Sequence, residues 1–573
     1  LIIMNKTLFL FLSLALLSNC KTKESVSVDS IYYNGDILTM EGDEPQYVEA
    51  VAVKDGKILF AGSLQEVNQY KGSETTMNDL QNKTLLPGFI DAHGHIWNAG
   101  FQAVSANLLP APDGNGNSID DIVSLLNEWK GKNQKAIGKY GWIIGFGYDD
   151  AQLKEKLPPT AADLDKVSTA VPVIIIHQSG HLAVMNHKAL ELSDINENTP
   201  DPAGGLIRRL PGTTKPSGVL EEMAAFIPLF KMLAVLDADA NEKIALAGLN
   251  AYVRFGFTTA QEGRATVDAS NTWSKLADEG KLPIDIAVYP DIQTQMEYMK
   301  KHGVSKDYKN KFRIAGVKIS LDGSPQGKTA WLTEPYVVPP PGQPATYKGY
   351  PAFPKEDDAT ALVDAAYSNN WQILAHCNGD AAIDELIAAA DAAGKKHGNE
   401  NRRTVGIHSQ TARMDQLDSY KELGIIPSFF GMHTYYWGDW HTDETLGKER
   451  ADKISPAQSA LNKGMIFTQH HDAPVALPSS TMILYSVVNR ISRSGKVIGA
   501  DERISPYHAL KSLTEWAAYQ YFEENSKGTI KKDKLADFVI LDKNPLKINP
   551  EALKDIVVLE TIKEGKSVYS VKN

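Results

Sequence analysis

Cysteine is nearly absent from this chain: Cys20 and Cys377 are the two cysteines among its 573 residues. Small secreted folds with a limited core depend on several disulfides, and two cysteines cannot supply them. Apolar residues make up 43% of the sequence and charged residues 23%, which is ordinary for a globular protein. The sequence therefore predicts two or three domains whose stability comes from a hydrophobic core.

An excess of positive charge is also missing. The formal net charge is -11 at pH 7, and no dense stripe of Lys and Arg offsets it locally. Nucleic acid binds to basic surfaces because its phosphate backbone is polyanionic. The composition therefore excludes nucleic acid as an expected partner.

The apolar run at residues 8–17 is too short for a membrane-spanning helix, because a span needs about 20 apolar residues. Since the run follows Lys6, it instead predicts a signal peptide at residues 1–20. Its Leu-Leu-Ser-Asn-Cys ending resembles a bacterial lipobox, although Asn19 replaces the usual small residue before the cysteine. We expect export to the periplasm or outer membrane of a Gram-negative bacterium, with lipidated Cys20 as the membrane contact.

Short β segments separated by turns occupy both ends of the chain. They are predicted at residues 31–40, 48–53, 57–60, 536–542, 557–562 and 565–569. Asn-Gly and Asp-Gly pairs, which are typical of tight turns, separate the first three, and no helical period appears in this region. We expect residues 27–86 and 528–573 to pair in one composite β-sandwich.

Between these ends, apolar runs alternate with segments of helical period, a pattern that predicts an α/β fold with a parallel sheet. Eight candidate strands end near His93, Glu262, Tyr289, Lys318, His376, His408, Phe430 and His471. Eight such units form a (β/α)8 TIM barrel, which we place at residues 87–527. The interval at about 101–250 is too long for one crossover and predicts an inserted subdomain after the first strand.

Two histidines one residue apart, His93 and His95, close the first candidate strand. Side chains i and i+2 of a strand point to the same face, so this pair can grip one cation. The spacing alone is weak, because chance predicts roughly 0.3 such pairs in a chain with 14 His. Further metal-capable residues close later strands: Lys318, His376, His408 and Asp472. Barrel active sites lie at the carboxyl ends of the strands, so the set predicts a metal site there.

Several longer motifs follow one another along the chain. They are GFGYDD at 145–150, PPTAADLD at 158–165, Gly180-His181, GVLEE at 218–222, GFTT at 256–259 and ADFV at 536–539. Together with the metal motifs they resemble the amidohydrolase superfamily, and within it amidohydrolase family 3, which includes N-substituted formamide deformylase-like enzymes. The resemblance covers nearly everything after the signal peptide. It implies a metal-dependent hydrolase of carbon-nitrogen bonds other than peptide bonds.

The resemblance also implies a set of ligands for one or two divalent metals: His93, His95, His376, His408 and Asp472. Lys318 matches a lysine that carbon dioxide converts into a bridging carbamate, and an anionic oxygen between two cations is electrostatically favourable. The alternative is a salt-bridged Lys318 beside a single metal. Zinc is the expected ion, because it accepts imidazole and carboxylate and activates water without redox chemistry.

Asp472 is the residue for which we expect a catalytic role. A carboxylate beside an activated water accepts its proton and returns it to the leaving amine; the alternative is that Asp472 only caps the following loop. His181 is expected to polarise the substrate carbonyl, with a structural role as the alternative. His470 shares strand parity with Asp472 and is expected to support a ligand or to pack against the site.

The segment 429–441 is rich in aromatic side chains. Aromatic rings offer a large contact area at low entropy cost, which predicts a substrate pocket containing His433, Tyr435 and Trp437. The alternative is that these rings pack the barrel against its insert. Glu222 matches a further family position and is interpreted as substrate-binding or as a salt-bridge partner.

The expected reaction is hydrolysis of a small-molecule amide, with aryl or N-substituted formamides as one candidate class. A lactone, carbamate, urea or cyclic amide would suit the same site. A different class of protein, a non-catalytic surface-anchored lipoprotein that binds a ligand, is the remaining alternative. Oligomeric state is open, with a homodimer as one option.

Overall fold

The structure is a computed structural model that describes residues 27–202, 204–340 and 342–571. The expected signal peptide and Cys20 lie outside these residues and stay predictions. None of the described helices is both long and apolar enough to cross a lipid bilayer.

The strands are numbered in chain order. They are β1 (Ser30–Leu38), β2 (Tyr47–Lys54), β3 (Lys57–Gly62), β4 (Thr76–Asp79), β5 (Thr84–Pro87), β6 (Phe89–Ile90), β7 (Ala106–Asn107), β8 (Ile143–Tyr148), β9 (Val173–His177), β10 (Leu182–Met185), β11 (Gly205–Arg209), β12 (Pro216–Glu222), β13 (Phe257–Ala265), β14 (Asp285–Pro290), β15 (Phe312–Ile314), β16 (Val317–Ser320), β17 (Ile373–Cys377), β18 (Val405–His408), β19 (Ile426–Phe429), β20 (Thr468–Gln469), β21 (Phe538–Leu541), β22 (Val558–Lys563) and β23 (Lys566–Ser570). The α-helices of eight or more residues are Ile96–Val104, Ile119–Lys132, Met223–Leu233, Ala238–Val253, Val267–Asp278, Glu356–Ser368, Asp380–His397, Met414–Leu423, Ser480–Asn489 and Pro506–Leu513.

Both ends of the chain contribute to one eight-stranded sheet, in the order β23-β22-β21-β5-β1-β2-β3 with β4 beside β1. The two ends meet where β5 and β21 pair antiparallel, with Leu86 opposite Val539. A single helical turn at Leu64–Val67 lies in the N-terminal part, where no helix was expected. The exact domain boundaries stay predictions.

A parallel barrel of the TIM type forms the centre of the molecule. Strand β13 pairs with β6 and β14, and β16 to β20 pair in sequence order. Strands β15 and β16 are separated by Ala315 and Gly316 and form consecutive halves of the fourth barrel strand. The Ile292 amide donates to the Lys318 carbonyl between the two halves of the barrel, and the His95 amide donates to the Ala473 carbonyl, which closes it. Short, fully buried apolar strands suit a barrel that helices cover on the outside.

The insert after the first barrel strand carries its own six-stranded sheet, in the order β11-β12-β10-β9-β8-β7. Strands β7, β8 and β9 run parallel, whereas β10 and β12 pair antiparallel. The turn between β9 and β10 contains Ser179 and His181. Through this turn the insert reaches the mouth of the barrel.

Two glycines allow the helix that follows His95 to pack closely on helix Ala238–Val253. A Cβ atom at Gly100 would collide with the carbonyl oxygen of Ile244, and one at Gly248 would collide with the carbonyl oxygen of Ile96. Neither glycine has a positive φ, so the requirement is for space and not for backbone freedom. The close crossing fixes the helix Ile96–Val104 and therefore the segment that carries His95.

The Gly100→Ala substitution is expected to lower the free energy of unfolding by about 1–3 kcal/mol, because the two helices must move apart. Denaturant unfolding of both proteins measures the difference. Gly138→Ala is the matched control, because a Cβ there meets nothing within 4 Å and the residue is helical. Equal stabilities of the two variants would contradict the close crossing.

Candidate metal centre

A cavity of about 230 Å³ opens at the carboxyl ends of the barrel strands. It is lined by Ser179, His181, Ser324, Gln326, His376, Asn378, His408, Phe430, His433, Asp472 and Val475. Most of these residues follow parallel strands, whose carboxyl ends meet at one face of the barrel. Ser179 and His181 come from the insert instead.

His93 and His95 do not lie in a strand. Strand β6 ends at Ile90, and the two histidines occupy the bend that leads into helix Ile96–Val104. Their Nε2 atoms nevertheless converge on Asp472, at 3.3 and 3.5 Å from its Oδ1 atom. The expectation that strand alternation would pair these side chains is wrong, because the strand is too short to include them.

Hydrogen bonds at Nδ1 select the tautomer of both histidines. His95 Nδ1 donates to the Gly263 carbonyl at 2.6 Å, and His93 Nδ1 donates to Gln261 Oε1 at 2.6 Å. The Gln261 amide is itself oriented, because its Nε2 donates to the Ala92 carbonyl. Each imidazole therefore presents an unprotonated Nε2 towards Asp472, as a metal ligand must.

His376 and His408 face each other at the ends of β17 and β18, with 3.0 Å between His376 Nδ1 and His408 Nε2. His376 Nε2 lies 3.0 Å from the Gly323 carbonyl, which accepts its proton and leaves Nδ1 free. Burial holds the pKa of each of these imidazoles well below its usual range. Both are therefore neutral, which metal binding requires.

Asp472 follows β20 and is buried with a φ of 54°. Its Oδ1 atom is inaccessible to solvent and has no hydrogen-bond partner among the described residues. A non-glycine residue at positive φ is strained, and strain of this kind concentrates at functional sites.

Lys318 lies inside the barrel with its Nζ atom 3.0 Å from His93 Nε2. Its exposed fraction is 1%. Burial lowers the pKa of the ammonium to about 7. Within the part of the chain that the structure describes, no carboxylate pairs with Lys318 within 4 Å, so the salt-bridged alternative has no partner here.

His181 reaches the cavity from the insert, opposite the histidines of the barrel. Its Nδ1 atom lies 2.9 Å from Glu222 Oε2. Burial disfavours the charged imidazolium, but the Glu222 carboxylate outweighs burial and holds the pKa of His181 above its usual value. Glu222 adopts φ 48° and ψ -122°, a region that side chains rarely occupy, so the local fold must enforce this contact.

Comparison with known proteins decides the family. Residues 76–569 match the sequence profile described as "Amidohydrolase family". The chain belongs to the amidohydrolase family. It is therefore a metal-dependent hydrolase that acts on carbon-nitrogen bonds other than peptide bonds, which confirms the sequence-based expectation and leaves the non-catalytic alternative without support.

Individual relatives cover almost the whole amidohydrolase chain. The putative amidohydrolase YtcJ of Bacillus subtilis is 27% identical over 562 residues, covering 94% of this chain and 99% of its own. The N-substituted formamide deformylase of Arthrobacter pascens is 24% identical over 547 residues, covering 94% and 97%. An uncharacterised metal-dependent hydrolase from Pyrococcus horikoshii has the same fold, with a TM-score of 0.71 at 23% identity over 91% of this chain and 99% of its own.

The donor set of this amidohydrolase fits a divalent metal. Two ligand atoms about 2.1 Å from one tetrahedral ion lie about 3.4 Å apart. The distances of 3.3 and 3.5 Å from Asp472 Oδ1 to the two Nε2 atoms match that spacing. His93, His95 and Asp472 form a group whose ligand atoms all lie within 4.8 Å of one another, and the unpartnered Oδ1 faces no competing donor.

Two of the expected substrate-binding residues do not line the cavity. Trp437 packs on His433 and donates from Nε1 to Asp149 of the insert at 2.9 Å. Tyr435 packs against Tyr485 instead. Trp437 therefore holds the barrel against its insert, which was the alternative interpretation of the aromatic segment, whereas His433 lines the cavity.

Glu222 is also outside the cavity lining, because its carboxylate binds His181 Nδ1. The contact with His181 fits the alternative interpretation of Glu222 as a salt-bridge partner, and a role in substrate binding stays a prediction. His470 is buried near the rings of His408 and Phe430, each at 5.0 Å, and neither of its ring nitrogens has a hydrogen-bond partner among the described residues.

A second group of metal-capable side chains, Asp149, Asp150 and His177, lies in the insert. Burial disfavours the charged form of His177, but Asp149 and Asp150 outweigh burial and raise its pKa to about 9, so Nε2 carries a proton and faces Asp150 at 3.1 Å. A protonated Nε2 cannot bind a metal. This group instead anchors the turn that carries Ser179 and His181.

Several cavity residues were not anticipated from the sequence: Ser179, Ser324, Gln326, Asn378, Phe430 and Val475. Asn378 had a detectable signal, because it lies two residues after His376 at a strand end. Ser324 and Gln326 lie in the long connection after β16, where no periodicity indicates which side chains turn inward.

Proposed function

We propose that this amidohydrolase hydrolyses the carbon-nitrogen bond of a small non-peptide amide, with Asp472 as the group that moves the proton. The observation that carries the proposal is the buried Asp472 side chain, whose unpartnered Oδ1 atom lies 3.3 and 3.5 Å from the Nε2 atoms of His93 and His95 beside the cavity. The relative named N-substituted formamide deformylase supports amides as the class and makes formamides one candidate.

The proposed ion is zinc, held by His93, His95, His376, His408 and Asp472. When bound, such an ion polarises a carbonyl group and lowers the pKa of water. Lys318 is proposed to join the site as a carbamate when two ions are present. Carbon dioxide reacts with a neutral lysine amine. Burial lowers the pKa of Lys318 to about 7, so a neutral amine is available at neutral pH.

Proton transfer is assigned to the side chain of Asp472. Asp472 accepts the proton of the attacking water and returns it to the leaving nitrogen. Neutral His376 and His408 do not compete for that proton, because burial holds each pKa low. The addition of water across the carbon-nitrogen bond therefore releases a carboxylic acid and an amine or ammonia.

His181 is proposed to donate to the substrate carbonyl oxygen. Its Nδ1 is occupied by Glu222, so Nε2 is the atom that remains for the substrate. A pKa above the usual value favours the protonated ring, which donates at Nε2. Donors aimed at an oxygen that gains negative charge stabilise the transition state more than the substrate.

Replacing Glu222 with glutamine is expected to lower kcat about 10–100-fold with little change in KM, as for other residues that orient a catalytic group. The substitution removes the carboxylate that raises the pKa of His181. The alkaline limb of the kcat profile should therefore move to lower pH. Steady-state kinetics across pH measures both effects.

Glu221→Gln is the matched control for that measurement. Glu221 lies next to Glu222 in β12, but its carboxylate pairs with Arg208. Near-normal kcat and pH dependence are expected for this control. Equal effects of the two substitutions would assign Glu222 a purely structural role.

The proposed reaction is tested by metal analysis of the purified protein together with a panel of aryl amides, formamides, carbamates and ureas. We expect at least one metal per chain and hydrolysis of one amide class, with activity lost on chelation and restored by zinc. A metal-loaded protein that cleaves no member of the panel would contradict the proposed substrate class.

A further inference from the structure

Three cavity residues have hydrogen-bonding atoms that the protein leaves unused. Ser324 Oγ, Gln326 Oε1 and Asn378 Oδ1 are inaccessible to solvent and have no hydrogen-bond partner among the described residues. Each of the three side chains is more than nine-tenths buried. None of them belongs to the proposed metal ligands, so the metal does not account for them.

The segments that carry these atoms are held in place. The Asp322 carboxylate accepts backbone N–H groups from Trp331, Asn378 and Gly379, at 3.0, 2.9 and 2.8 Å. One buried side chain thus ties the connection after β16 to the end of β17. Three hydrogen bonds to one buried carboxyl group hold both segments in place before substrate binds.

A hydrogen bond at Nδ2 determines the orientation of the Asn378 side-chain amide. Its Nδ2 atom donates to the Gly323 carbonyl at 2.9 Å, so Oδ1 is the free end of the amide. Space beside Ser324 is kept by Gly327, where a Cβ atom would lie 2.7 Å from Ser324 Oγ. Two carbonyl-type acceptors and one hydroxyl therefore lie on the side of the cavity formed after β16 and β17.

The chemistry of this side selects a class of substrate. Carbonyl oxygens accept hydrogen bonds, so a matching ligand must carry N–H or O–H donors. The lining residues include no Lys or Arg, and His181 is already paired with the Glu222 carboxylate, so a carboxylate on the substrate would have no unpaired cationic side chain here.

We propose that Ser324, Gln326 and Asn378 form a recognition site for the terminal NH2 of a small neutral urea-type amide. The inference rests on the proposed function, because it assigns the substrate of that same reaction. We therefore expect amides with a terminal NH2 to be better substrates than aryl formamides. An aryl formamide would place an aromatic ring beside these hydrogen-bond acceptors. A site built to bind a donor rejects an analogue without it, because the buried acceptors are then left unpaired.

Two probes of nearly equal size test this inference. N-acetylurea ends in NH2, and diacetamide has CH3 in its place, whereas both present the same acetyl carbon-nitrogen bond. Water adds across that bond to release acetic acid, with urea or acetamide as the other product. The measured quantity is the ratio of kcat/KM for N-acetylurea to kcat/KM for diacetamide. Comparing this ratio between wild type and a variant cancels the intrinsic reactivity of the two probes.

Gln326→Leu removes one acceptor at nearly constant size, and Gln326 Oε1 has no hydrogen-bond partner among the described residues. We expect the ratio of kcat/KM for N-acetylurea to kcat/KM for diacetamide to fall about tenfold or more in this variant. Gly327→Ala should lower the ratio in the same direction by crowding Ser324. Gln458→Leu, on the surface and bonded to Asn462, is the control that should keep the wild-type ratio.

The outcomes separate the inference from the proposed function. If both probes are cleaved and the ratio of their kcat/KM values is the same in wild type and in Gln326→Leu, the inference is overturned. The proposed function is then still supported. If neither probe is cleaved, calorimetry with the Asp472→Asn protein decides. Binding of N-acetylurea that is tighter than that of diacetamide, and lost in a Gln326→Leu background, supports the recognition site while the reaction on this bond fails. Equal binding of the two probes overturns the inference.

Discussion

The Asp472→Asn protein is expected to lose at least about 10³-fold in kcat, within the range contributed by a general base, while it retains its metal. Asparagine keeps the shape and one oxygen, so the contact with His93 and His95 can persist. It cannot accept a proton from water at neutral pH. Steady-state kinetics and elemental analysis of the same preparation measure the two properties together.

Asp291→Asn is the control for this substitution. Asp291 follows β14 at the same face of the barrel, but its carboxylate pairs with Arg264 at 2.9 Å and does not line the cavity. Its activity should stay within about tenfold of wild type, because neither partner touches the reacting groups. Full activity of Asp472→Asn would remove Asp472 from the proton transfer, whereas loss of metal would make it chiefly a ligand.

The Lys318→Met protein is expected to bind about one metal per chain fewer than wild type and to lose most of its activity. Methionine keeps the apolar stem of the buried side chain but cannot form a carbamate. Bicarbonate present during metal loading should raise the metal content of wild type and leave the variant unchanged. A small carboxylate such as acetate should partly restore the variant, because it supplies an anionic oxygen.

The same proposal has a pH dependence with a defined sign. Burial lowers the pKa of Lys318 to about 7, so its amine is neutral above that pH and protonated below it. Carbon dioxide reacts with the neutral amine, so carbamate formation in the metal-free protein should decline as pH falls through 7. Intact mass measurement detects the added carbon dioxide. A Lys318→Met protein with unchanged metal content would favour the single-metal alternative.

Much of this site was predictable from sequence, because metal-capable side chains follow the predicted barrel strands. His376, His408 and Asp472 stand near the ends of predicted strands, and parallel strands of a barrel bring their carboxyl ends to one face. Residue order was therefore enough to predict that distant side chains meet. For His93 and His95 the residues meet at Asp472, but the reason differs, because the bend after β6 and not strand alternation directs them.

Contacts between the insert and the barrel were not predictable in the same way. The sequence separates His181 from Glu222 by 41 positions, and only the pairing of β10 with β12 places them side by side. Aromatic composition favoured a pocket at Tyr435 and Trp437, yet packing turned both rings away from the cavity. Composition indicates what a side chain can do, whereas packing decides which way it faces.

The amino-acid sequence was sufficient for the resemblance to the family, the kinds of metal-binding side chain and the parallel order of the strands that carry them, because motifs and periodicity are local. The tertiary structure was needed to show that Glu222 contacts His181 and that Ser324, Gln326 and Asn378 line one cavity. The physical reason is that hydrogen bonds and burial depend on groups far apart in the chain. No local pattern encodes which of them are left without a partner.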